Sequence, residues 1–495
     1  MTARRRLTLL GAALLGGTLF YFGSFAFDYG APFRKHDPLV ATDNARLDPA
    51  RVAAVDRLET VEALQAALAD ARAKGLKVSM AGSHHSQGGQ TYTAGGVQFD
   101  MRGFRKVLAI DTVAQTITVQ SGATWDEVQR ALAPVGLAIK VMQSSNIFTV
   151  GGTMSANAHG RDLDVMQMVS VVQRFHLLLA DGSVVEVSRT ENPELFSLVI
   201  GGYGMYGVIL DVTLKVTKDE LYEQRAVSMD YKDFPAYFTD SVKADTGVVF
   251  MLVRPSIDPD PDKFLREMVV VTWRRAPVGT PGSFVLTEEA NVVRDRFFLG
   301  ISRKYDWAKK LRWYLQQKVE LGAGSVRIVS RNNAMRPPLA PLELLRYQSG
   351  KDTDILNEYY VPMQHFVAFM DKFRQILLDN NMNVMSSTVR YVSPNDTPVL
   401  AYAPTEPVFA IIQMSNVGLD SASQAKTADV TRQLVDAAIE YGGTYYLTYQ
   451  LYPTPAQLLK AYPRAREAFS RKRFYDSAET FSSKFYERYG HVQAQ

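Results

Sequence analysis

The residues best suited to bind a phosphate group lie in one short stretch, residues 78–89, which reads VSMAGSHHSQGG. Two adjacent histidines, His84 and His85, stand in a small polar turn that follows a run typical of a strand. Glycine lets the backbone approach a ligand closely and point several N–H groups inward, so such a turn can bind a diphosphate. Taken alone, a strand followed by a glycine turn is equally compatible with an ordinary turn.

Two further glycine-rich segments accompany this turn. Residues 150–161 read VGGTMSANAHGR and residues 200–210 read IGGYGMYGVIL, and both stand among β-branched runs typical of strands. Residues 60–74, which precede the turn, carry apolar side chains at helical spacing, with Thr60 as N-cap and Gly75 just beyond the end. The order predicted around the first turn is therefore helix, strand and glycine turn.

In their order and separation, the three segments resemble the FAD-binding domain of the vanillyl-alcohol oxidase (VAO) and p-cresol methylhydroxylase (PCMH) superfamily. That domain binds FAD through a Gly-x-Gly-His-Ser loop, a central Gly-Gly…His-Gly segment and a closing Gly-x-x-Gly-Val-Ile strand. The resemblance implies FAD as the cofactor. The cofactor-binding residues that it implies are Ala81, Gly82, Ser83, His84, His85, Ser86, Gln87, Gly151, Gly152, Thr153, Ser155, Asn157, His159, Gly160, Val208 and Ile209.

The first loop also implies how the flavin is attached. In many members of the superfamily the histidine of this loop carries the flavin covalently, and the resemblance places that role on His85. His84 then stands where the second glycine is usual, so a side chain occupies a place where the backbone normally approaches the phosphates. A neutral imidazole nitrogen is a competent nucleophile. We expect covalent FAD through His85; the alternative is that His85 only hydrogen-bonds a non-covalent flavin.

The candidate catalytic residues are Arg390, Tyr449 and Glu358. Carbohydrate-oxidising relatives use a Glu-x-Arg pair on a cap strand and a lysine in the tail, and the corresponding places here read Thr388-Val-Arg390 and Tyr449. Glu358 begins the segment EYYVP, which is similar to a cap-domain strand of the same relatives. Arg390 would stabilise the reduced flavin or a substrate oxygen, and Tyr449 would accept a proton if that arginine lowered its pKa. The alternatives are a surface salt bridge and a buried aromatic side chain.

The elements around these residues predict an α+β fold. Residues 48–217 are expected to form a PCMH/VAO-type FAD-binding domain of two subdomains, and residues 218–445 an α+β substrate-capping domain. Residues 446–495 would form a C-terminal segment that returns to the FAD-binding domain. The aromatic run at residues 445–453, YYLTYQLYP, resembles the tail of aldonolactone oxidases, alditol oxidases and decaprenylphosphoryl-ribose oxidases.

Local patterns predict individual elements within these domains. Thr124 and Glu127 form a capping box at the start of a helix, and Asp181-Gly182 predicts a hairpin between two strands. Residues 302–318 predict an amphipathic helix with an aromatic and apolar stripe surrounded by basic residues. We expect that stripe to pack into the cap domain; the alternative is contact with an anionic membrane surface.

Composition excludes several kinds of chemistry. The chain has 495 residues, of which 46% are hydrophobic and 21% charged, as in an ordinary globular protein. Its formal net charge of +4 is small for this length and gives no reason to expect nucleic acid as a partner. Because cysteine is absent, disulfides, thiolate nucleophiles, cysteine-ligated metals and cysteinyl flavin are excluded. No metal-binding residues are predicted.

The N-terminus predicts a membrane anchor with its linker at residues 1–34. A basic segment, residues 1–6, precedes an uncharged stretch, residues 7–27, which is about the length that a helix needs to cross a bilayer. No clear cleavage site follows, which favours an uncleaved anchor over a removed signal peptide. The three arginines also resemble a loose twin-arginine signal, although a topogenic charge cluster is preferred. The body would then be periplasmic or otherwise extracytoplasmic.

Together these expectations predict a membrane-anchored, FAD-dependent enzyme that oxidises a CH–OH group by hydride transfer to flavin N5. The substrate would be a small-molecule or lipid-linked alcohol: a sugar, a lactone or a lipid-linked polyol. Two alternatives remain open. One is a flavin-dependent reductase of carbon–carbon double bonds, of the sterol-reductase type; the other is a non-catalytic flavin-fold binding protein.

Overall fold

The computed structural model describes residues 16, 23, 37–143, 145–165, 167–288, 290, 292–322, 326–336 and 347–491. Helices and strands are mixed throughout these residues, which confirms the predicted combination of α and β structure. The strands in the described ranges form four sheets, the first of which is a short ribbon of β1 (Val40–Ala41) and β2 (Ala50–Arg51). The domain boundaries and the division of the first domain into two subdomains stay predictions. We call residues 48–217 the cofactor domain and residues 218–445 the cap domain.

A small parallel sheet carries the first glycine turn. Its strands are β3 (Ala54–Asp56), β4 (Val78–Ala81) and β5 (Val97–Asp100), in the order β3-β5-β4. The helix α1 (Val61–Ala73) joins β3 to β4 and buries Leu64 and Leu68. Those two side chains form one apolar cluster with Val78 and Phe99 of the sheet. The turn therefore starts from a strand that is held on one side by β5 and packed beneath α1.

A sheet of six antiparallel strands forms the rest of the cofactor domain. Its strands are β6 (Val107–Asp111), β7 (Thr116–Gln120), β8 (Leu137–Ile139), β9 (Val172–Leu178), β10 (Val184–Ser188) and β11 (Val208–Lys218). Three helices belong to the same region: α2 (Trp125–Leu132), α3 (Val150–Ser155) and α4 (Pro193–Val199). The predicted capping box at Thr124 and Glu127 starts α2, and the predicted hairpin joins β9 to β10.

The cap domain is built on one antiparallel sheet of eight strands. They are β12 (Leu221–Asp230), β13 (Val248–Pro255), β14 (Glu267–Arg275), β15 (Arg327–Ser330), β16 (Asp352–Pro362), β17 (Val384–Val392), β18 (Val408–Gly418) and β19 (Thr444–Tyr445). Their order across the sheet is β15-β12-β14-β13-β17-β18-β16-β19. The helices of this region are α5 (Phe234–Tyr237), α6 (Val292–Lys304), α7 (Asp306–Leu321), α8 (Arg331–Ala334), α9 (Phe366–Asp379) and α10 (Ser421–Glu440). A π-helical turn, Phe238–Lys243, continues α5.

The two faces of the cap sheet have different surroundings. Tyr359 on β16 packs against α9, where its ring centroid lies 6.1 Å from that of Phe369. Successive side chains of a strand point to opposite faces, so Glu358 and Tyr360 lie on the face away from α9. That second face lines the candidate site described below.

The amphipathic helix predicted at residues 302–318 is two helices in the structure. The chain breaks at Tyr305, between α6 and α7. The predicted core stripe is wrong: Trp307 is 57% exposed and Tyr314 is 54% exposed, whereas Trp313, next to Tyr314, is 2% exposed. The predicted stripe faces solvent because α7 buries a different side of the helix, the side that carries Trp313.

The C-terminal segment packs against the small parallel sheet of β3, β5 and β4. It contains the helices α11 (Pro455–Ala461), α12 (Ala465–Tyr475) and α13 (Lys484–Tyr489). The N–H of Val78 on β4 donates to the carbonyl of Thr480 at 2.7 Å, and the N–H of Ser482 donates back to the carbonyl of Val78 at 2.9 Å. Lys472 and Asp476 form a fully buried ion pair nearby, and the Asp476 carboxylate also accepts the backbone N–H of Phe481. The strand that leads into the glycine turn is thus fixed from the C-terminal side as well.

The prediction of a membrane anchor is corrected by the structure. No helix among the described residues is long and apolar enough to cross a membrane. The stretch predicted to span the bilayer, residues 7–27, lies outside the described residues except for Gly16 and Gly23. The finding contradicts the predicted anchor, the membrane as a partner and the extracytoplasmic location derived from it.

Candidate active site

A cavity of about 450 Å³ is lined by residues of the cofactor domain, the cap sheet and the C-terminal segment. Most of the cofactor-binding residues predicted from the sequence line it. They are Ala81, Gly82, Ser83, His84, His85, Ser86, Gly151, Gly152, Thr153, Ser155, His159, Val208 and Ile209. The three candidate catalytic residues, Glu358, Arg390 and Tyr449, line the same cavity. The structure therefore brings together segments that lie more than 350 positions apart in the chain.

The first glycine turn and the helix α3 approach each other too closely for a side chain at Gly82. A Cβ atom at Gly82 would lie 2.1 Å from Oγ1 of Thr149. Thr149 is the N-cap of α3, and its Oγ1 accepts the N–H of Gly152 at 3.3 Å. A glycine is needed here because its backbone must pass directly over a helix N-terminus, where free N–H groups favour an anion.

The backbone conformation of His84 shows how a residue other than glycine fits the second glycine position of the loop. Its φ angle is +55°, in the left-handed region that glycine favours. Histidine tolerates this region better than β-branched residues do. The loop thus keeps the backbone conformation of the glycine that the resemblance led us to expect, although a side chain is present.

This conformation allows a test of the loop. We expect His84→Gly to change the free energy of unfolding by less than about 1 kcal/mol, since glycine adopts the native φ without strain. His84→Val should lower it by about 1–3 kcal/mol, because a β-branched residue is strained at positive φ. Urea denaturation of both variants measures the difference. Equal stability of the two would show that the loop does not hold residue 84 in the left-handed region.

His85 lies against an aromatic ring in the cavity wall. Its ring centroid is 4.3 Å from that of Phe148. Burial, with a smaller contribution from the neighbouring His84, lowers the pKa of His85 to about 4. The imidazole is therefore neutral at neutral pH and keeps a nitrogen lone pair for bonding.

The first half of the second glycine-rich segment forms a helix. Residues Val150–Ser155 are α3, and a Cβ atom at Gly151 would lie 2.7 Å from Cβ of Ser121 on the neighbouring turn. Thr153 faces inward, and its Oγ1 accepts the indole N–H of Trp125 at 2.9 Å. The small residues of this segment thus let a helix pack directly beneath the cavity.

Three predicted cofactor residues do not line the cavity, and their contacts are structural. Gln87 accepts the backbone N–H of Leu356 at 2.8 Å through Oε1 and so ties the first loop to the cap sheet. The carbonyl of Asn157 accepts the hydroxyl of Tyr402 at 2.8 Å. Gly160 lies where a Cβ atom would be 3.0 Å from the carbonyl oxygen of Met142. Their predicted contact with the cofactor stays a prediction.

A buried polar cluster stands at the cap side of the cavity. Nε2 of His159 forms a hydrogen bond with Oε1 of Glu358, and the hydroxyl of Tyr449 donates to Oε2 of Glu358 at 3.2 Å. Nη1 of Arg390 donates to the carbonyl of His159 at 3.4 Å. Glu358, which is 4% exposed, is thus bound through both carboxylate oxygens.

The charges around Glu358 determine its ionisation. Burial alone would raise the pKa of Glu358, but the charge and hydrogen bond of His159 and the charge of Arg390 outweigh it, so that the pKa lies below its ordinary value. Glu358 is therefore ionised at neutral pH. Its carboxylate is an acceptor in a site shielded from bulk water.

The condition under which Tyr449 would act as a base, a pKa lowered by Arg390, is not met. Burial is the largest influence and raises the pKa of Tyr449 well above its ordinary value, and the nearby charge of Glu358 raises it further. Arg390 acts in the opposite direction but is outweighed. Tyr449 therefore keeps its proton and acts as a donor to Glu358 rather than as a base.

Three tyrosines enclose His159. The ring centroids of Tyr360, Tyr402 and Tyr446 lie 5.7, 6.0 and 6.3 Å from the imidazole. Tyr360 and Tyr402 are stacked, with 4.3 Å between their centroids. This aromatic wall keeps water away from one side of the His159–Glu358 pair and strengthens its electrostatic interaction.

The register of the cap sheet shows how Glu358 reaches this place. Glu358 on β16 pairs with Ile412 on β18, and Ile412 pairs in turn with Thr388 on β17. Directly opposite residues of antiparallel strands point to the same face. Thr388 is the position at which carbohydrate-oxidising relatives were expected to carry glutamate. Here a carboxylate enters the same row of the sheet from β16 instead.

Comparisons with known proteins agree with the cofactor domain. The profile of a protein family described as "FAD binding domain" matches residues 52–188. Among curated proteins, the chain is similar to an uncharacterised oxidoreductase of the fasciation locus in Rhodococcoides fascians, with 30% identity over 42% of this chain and 47% of the relative. A decaprenylphosphoryl-β-D-ribose oxidase of Mycolicibacterium smegmatis is 28% identical over 30% of this chain and 32% of the relative. L-gulonolactone oxidase of Bos taurus is 30% identical over 32% of this chain and 35% of the relative.

Residues 52–188 thus carry the FAD-binding domain that the resemblance to the FAD-linked oxidase superfamily led us to expect. Its cofactor is FAD, as the sequence predicted. The matched segments span less than half the length of each of these curated relatives. The resemblance to the superfamily therefore rests on the cofactor domain, and the cap domain has to be interpreted from its own geometry.

The residues around the cavity fit FAD. Four buried side-chain oxygens that line or border it have no hydrogen-bond partner among the described residues: Oδ1 of Asn44, Oγ of Ser86, Oγ1 of Thr91 and Oγ of Ser121. Buried polar atoms are normally hydrogen-bonded, so these atoms indicate a polar ligand. A large cofactor with phosphate, ribityl and ring heteroatoms supplies the missing partners. Side chains at Gly82 and Gly151 would clash with Thr149 and Ser121, so the segments that line the cavity pack this closely only because both positions are glycine.

Sequence reasoning missed several residues of the site. Phe148 and Thr149 precede the second glycine segment and would have been found only by extending the motif toward its N-terminal side. Arg161, Arg254 and Arg312 come from three separate parts of the chain and also line the cavity. Arg161 directly follows the predicted His-Gly pair, whereas no local pattern marks the other two.

Proposed function

We propose that this protein is an FAD-dependent oxidoreductase that oxidises a CH–OH group of a sugar, a lactone or a polyol. The observation that supports the proposal is the ionised, buried Glu358, held by His159 and Tyr449 in the cavity that also carries the FAD loops. FAD, when bound, supplies an acceptor for the hydride that leaves the carbinol carbon. The hydroxyl proton must leave as well, and a carboxylate within the same cavity is a suitable acceptor.

The roles of the surrounding residues follow from their contacts. Glu358 accepts the hydroxyl proton on its carboxylate, and His159 fixes Oε1 so that the orientation of the group is set. Tyr449 donates to Oε2 and retains its own proton. Arg390, bound to the carbonyl of His159, adds a positive charge that favours the ionised form of Glu358. His85 is proposed to attach FAD covalently, and the glycine loops to hold its phosphates.

The proposed function is tested by reduction of the bound flavin without oxygen. The FAD-loaded full chain is mixed anaerobically with a panel of sugar alcohols, aldonolactones and polyols, and the visible absorption of the flavin is followed. We expect one class of alcohol to bleach it and to yield the matching carbonyl product. Bleaching by NADH or NADPH but by no alcohol would contradict the proposal and favour a double-bond reductase. Absence of any reduction would favour a binding protein.

A further inference from the structure

Three arginines line the cavity without being part of the FAD loops or of the Glu358 cluster. They are Arg161, the last residue of the second glycine-rich segment and not one of the predicted cofactor-binding residues, Arg254 on β13 and Arg312 on α7. We call them the arginine cluster. Gln316, one helical turn after Arg312, lines the cavity too, so α7 turns this side toward the cavity while Trp307 and Tyr314 face solvent.

The positive charges of this cluster are not balanced by the described residues around it. The nearest carboxylate is that of Glu320, 3.4 Å from Nε of Arg254, and this contact is not a hydrogen bond. Arg161 donates to a neutral acceptor, the carbonyl of Ala334, at 3.1 Å. Nη1 of Arg312 is buried and has no hydrogen-bond partner in the described part of the chain. Among the described residues, the three guanidinium groups thus have one carboxylate within ion-pair distance.

The arginines also repel one another. Burial first, then the charges of Arg390 and Arg254, lower the pKa of Arg161 to about 9. Burial, followed by the charges of Arg303 and Arg254, lowers the pKa of Arg312 to about 10. Arg161 and Arg312 remain charged at neutral pH, and burial lowers the pKa of Arg254 as well. A cluster of partly buried like charges is unfavourable unless a ligand of opposite charge compensates it.

The sheet register places the cluster at a definite position relative to the reacting residues. Val253 pairs with Val389, so Arg254 stands opposite Thr388 in the antiparallel pair of β13 and β17. The row that contains Glu358 and Thr388 therefore continues to Arg254, which pairs on its other side with Val269 of β14. Three strand spacings separate the backbones of Arg254 and Glu358, which is about 14 Å. A ligand held by the cluster extends along this row toward Glu358.

We propose that the arginine cluster binds a phosphoryl group of the substrate, three strands away from Glu358 along this row of the sheet. Guanidinium groups bind phosphate oxygens through two parallel N–H donors, and a phosphate monoester dianion matches the two charges that Glu320 leaves uncompensated. The substrate is then a phosphorylated sugar or polyol whose oxidised carbon lies near Glu358. Its assignment as the substrate rests on the proposed function, whereas the phosphoryl site itself does not.

Binding of inorganic phosphate to the FAD-loaded full chain tests the site. Isothermal titration calorimetry at low ionic strength gives the Kd for the native protein and for Arg312→Gln, with Lys310→Gln as the matched control. Lys310 is an exposed residue two positions earlier on α7, so its removal takes the same charge from the other side of the helix. We expect Arg312→Gln to weaken phosphate binding by about 10- to 100-fold, and Lys310→Gln to leave it nearly unchanged.

Stability and cofactor content of the same samples separate the explanations. Arg312→Gln should unfold at the same or a higher temperature, because it relieves repulsion, and it should keep its FAD. Loss of FAD from this variant would show that the cluster binds the cofactor and would overturn the proposal. If Arg312→Gln binds phosphate with an unchanged Kd, the proposal is overturned too. It is also overturned if the native protein binds gluconate, a carboxylate, through Arg312 but does not bind phosphate. If phosphate binds through Arg312 but no alcohol is oxidised, the phosphoryl site stands and the proposed function fails.

Discussion

Glu358→Gln is expected to slow substrate oxidation by about 10²–10⁴-fold while leaving the FAD content unchanged, since this is the usual contribution of a positioned general base. Glutamine keeps the size of the side chain and can still contact His159 and Tyr449, but its amide cannot accept the hydroxyl proton. The measurement is the rate of anaerobic flavin reduction by a saturating alcohol in a stopped-flow instrument. A rate within a few-fold of the native protein would exclude Glu358 as the proton acceptor.

Tyr449→Phe provides the matched control for this prediction. Burial and Glu358 keep the Tyr449 hydroxyl protonated, so its removal deletes one hydrogen bond at 3.2 Å and no base. We expect a rate loss of about tenfold, which corresponds to one hydrogen bond to a charged group. A loss as large as that of Glu358→Gln would instead indicate that the proton passes through the tyrosine hydroxyl.

The pH dependence follows from the direction of the pKa shift. The pKa of Glu358 lies below its ordinary value because His159 and Arg390 stabilise the carboxylate against the cost of burial. A base acts only when unprotonated, so the rate should stay constant as pH falls toward the ordinary glutamate pKa and decline only below it. Glu358→Gln should remove this decline altogether. The same stopped-flow measurement at several pH values shows whether it does.

Much of the local structure could be predicted because it depends on neighbours in sequence. The helix at residues 60–74 is present as α1, and Oγ1 of Thr60 caps it by accepting the N–H of Ala63 at 3.2 Å. The capping box of α2 and the hairpin between β9 and β10 were equally predictable. Each of these signals lies within a few residues and involves a specific hydrogen bond or backbone conformation.

The errors occur where tertiary packing decides. No pattern predicted that Thr149 caps the start of the second glycine-rich segment as the helix α3, Val150–Ser155, beneath the cavity. The stripe of α7 was expected to be buried, yet the cap sheet packs against the side that carries Trp313. Hydrophobic spacing identifies a helix. When the helix has two apolar sides, the spacing does not determine which side packs against the core.

The chemistry of the site depends on pairings that no local pattern contains. His159 and Glu358 are separated by 199 positions and meet because β16 lies between β18 and β19 at the cavity. The resemblance pointed to His159 and to the strand that carries Glu358. Because Thr388 stands where relatives have glutamate, the sequence suggested that the carboxylate of the site is missing. The sheet register shows a carboxylate in the same row, which a sequence without a known register cannot reveal.

His85→Ala is expected to abolish covalent attachment of FAD completely. The imidazole of His85 lies in the cavity wall against Phe148, and its pKa of about 4 leaves it neutral and nucleophilic at neutral pH. Acid precipitation of the native protein should leave fluorescent flavin in the pellet, whereas the variant should release it to the supernatant. His84→Gly, which keeps the left-handed backbone of the loop, is the control and should retain pelleted flavin.

Two outcomes would contradict this assignment in different ways. Acid-stable flavin in His85→Ala but not in His84→Gly would move the covalent bond to His84, which also lines the cavity. Flavin released by acid from the native protein would show that His85 only contacts a non-covalent cofactor. In that case the loop would still bind FAD through its backbone, because the close approach at Gly82 and the left-handed φ of His84 do not depend on a covalent bond. The native protein therefore has to be measured first, since its result decides what either variant can show.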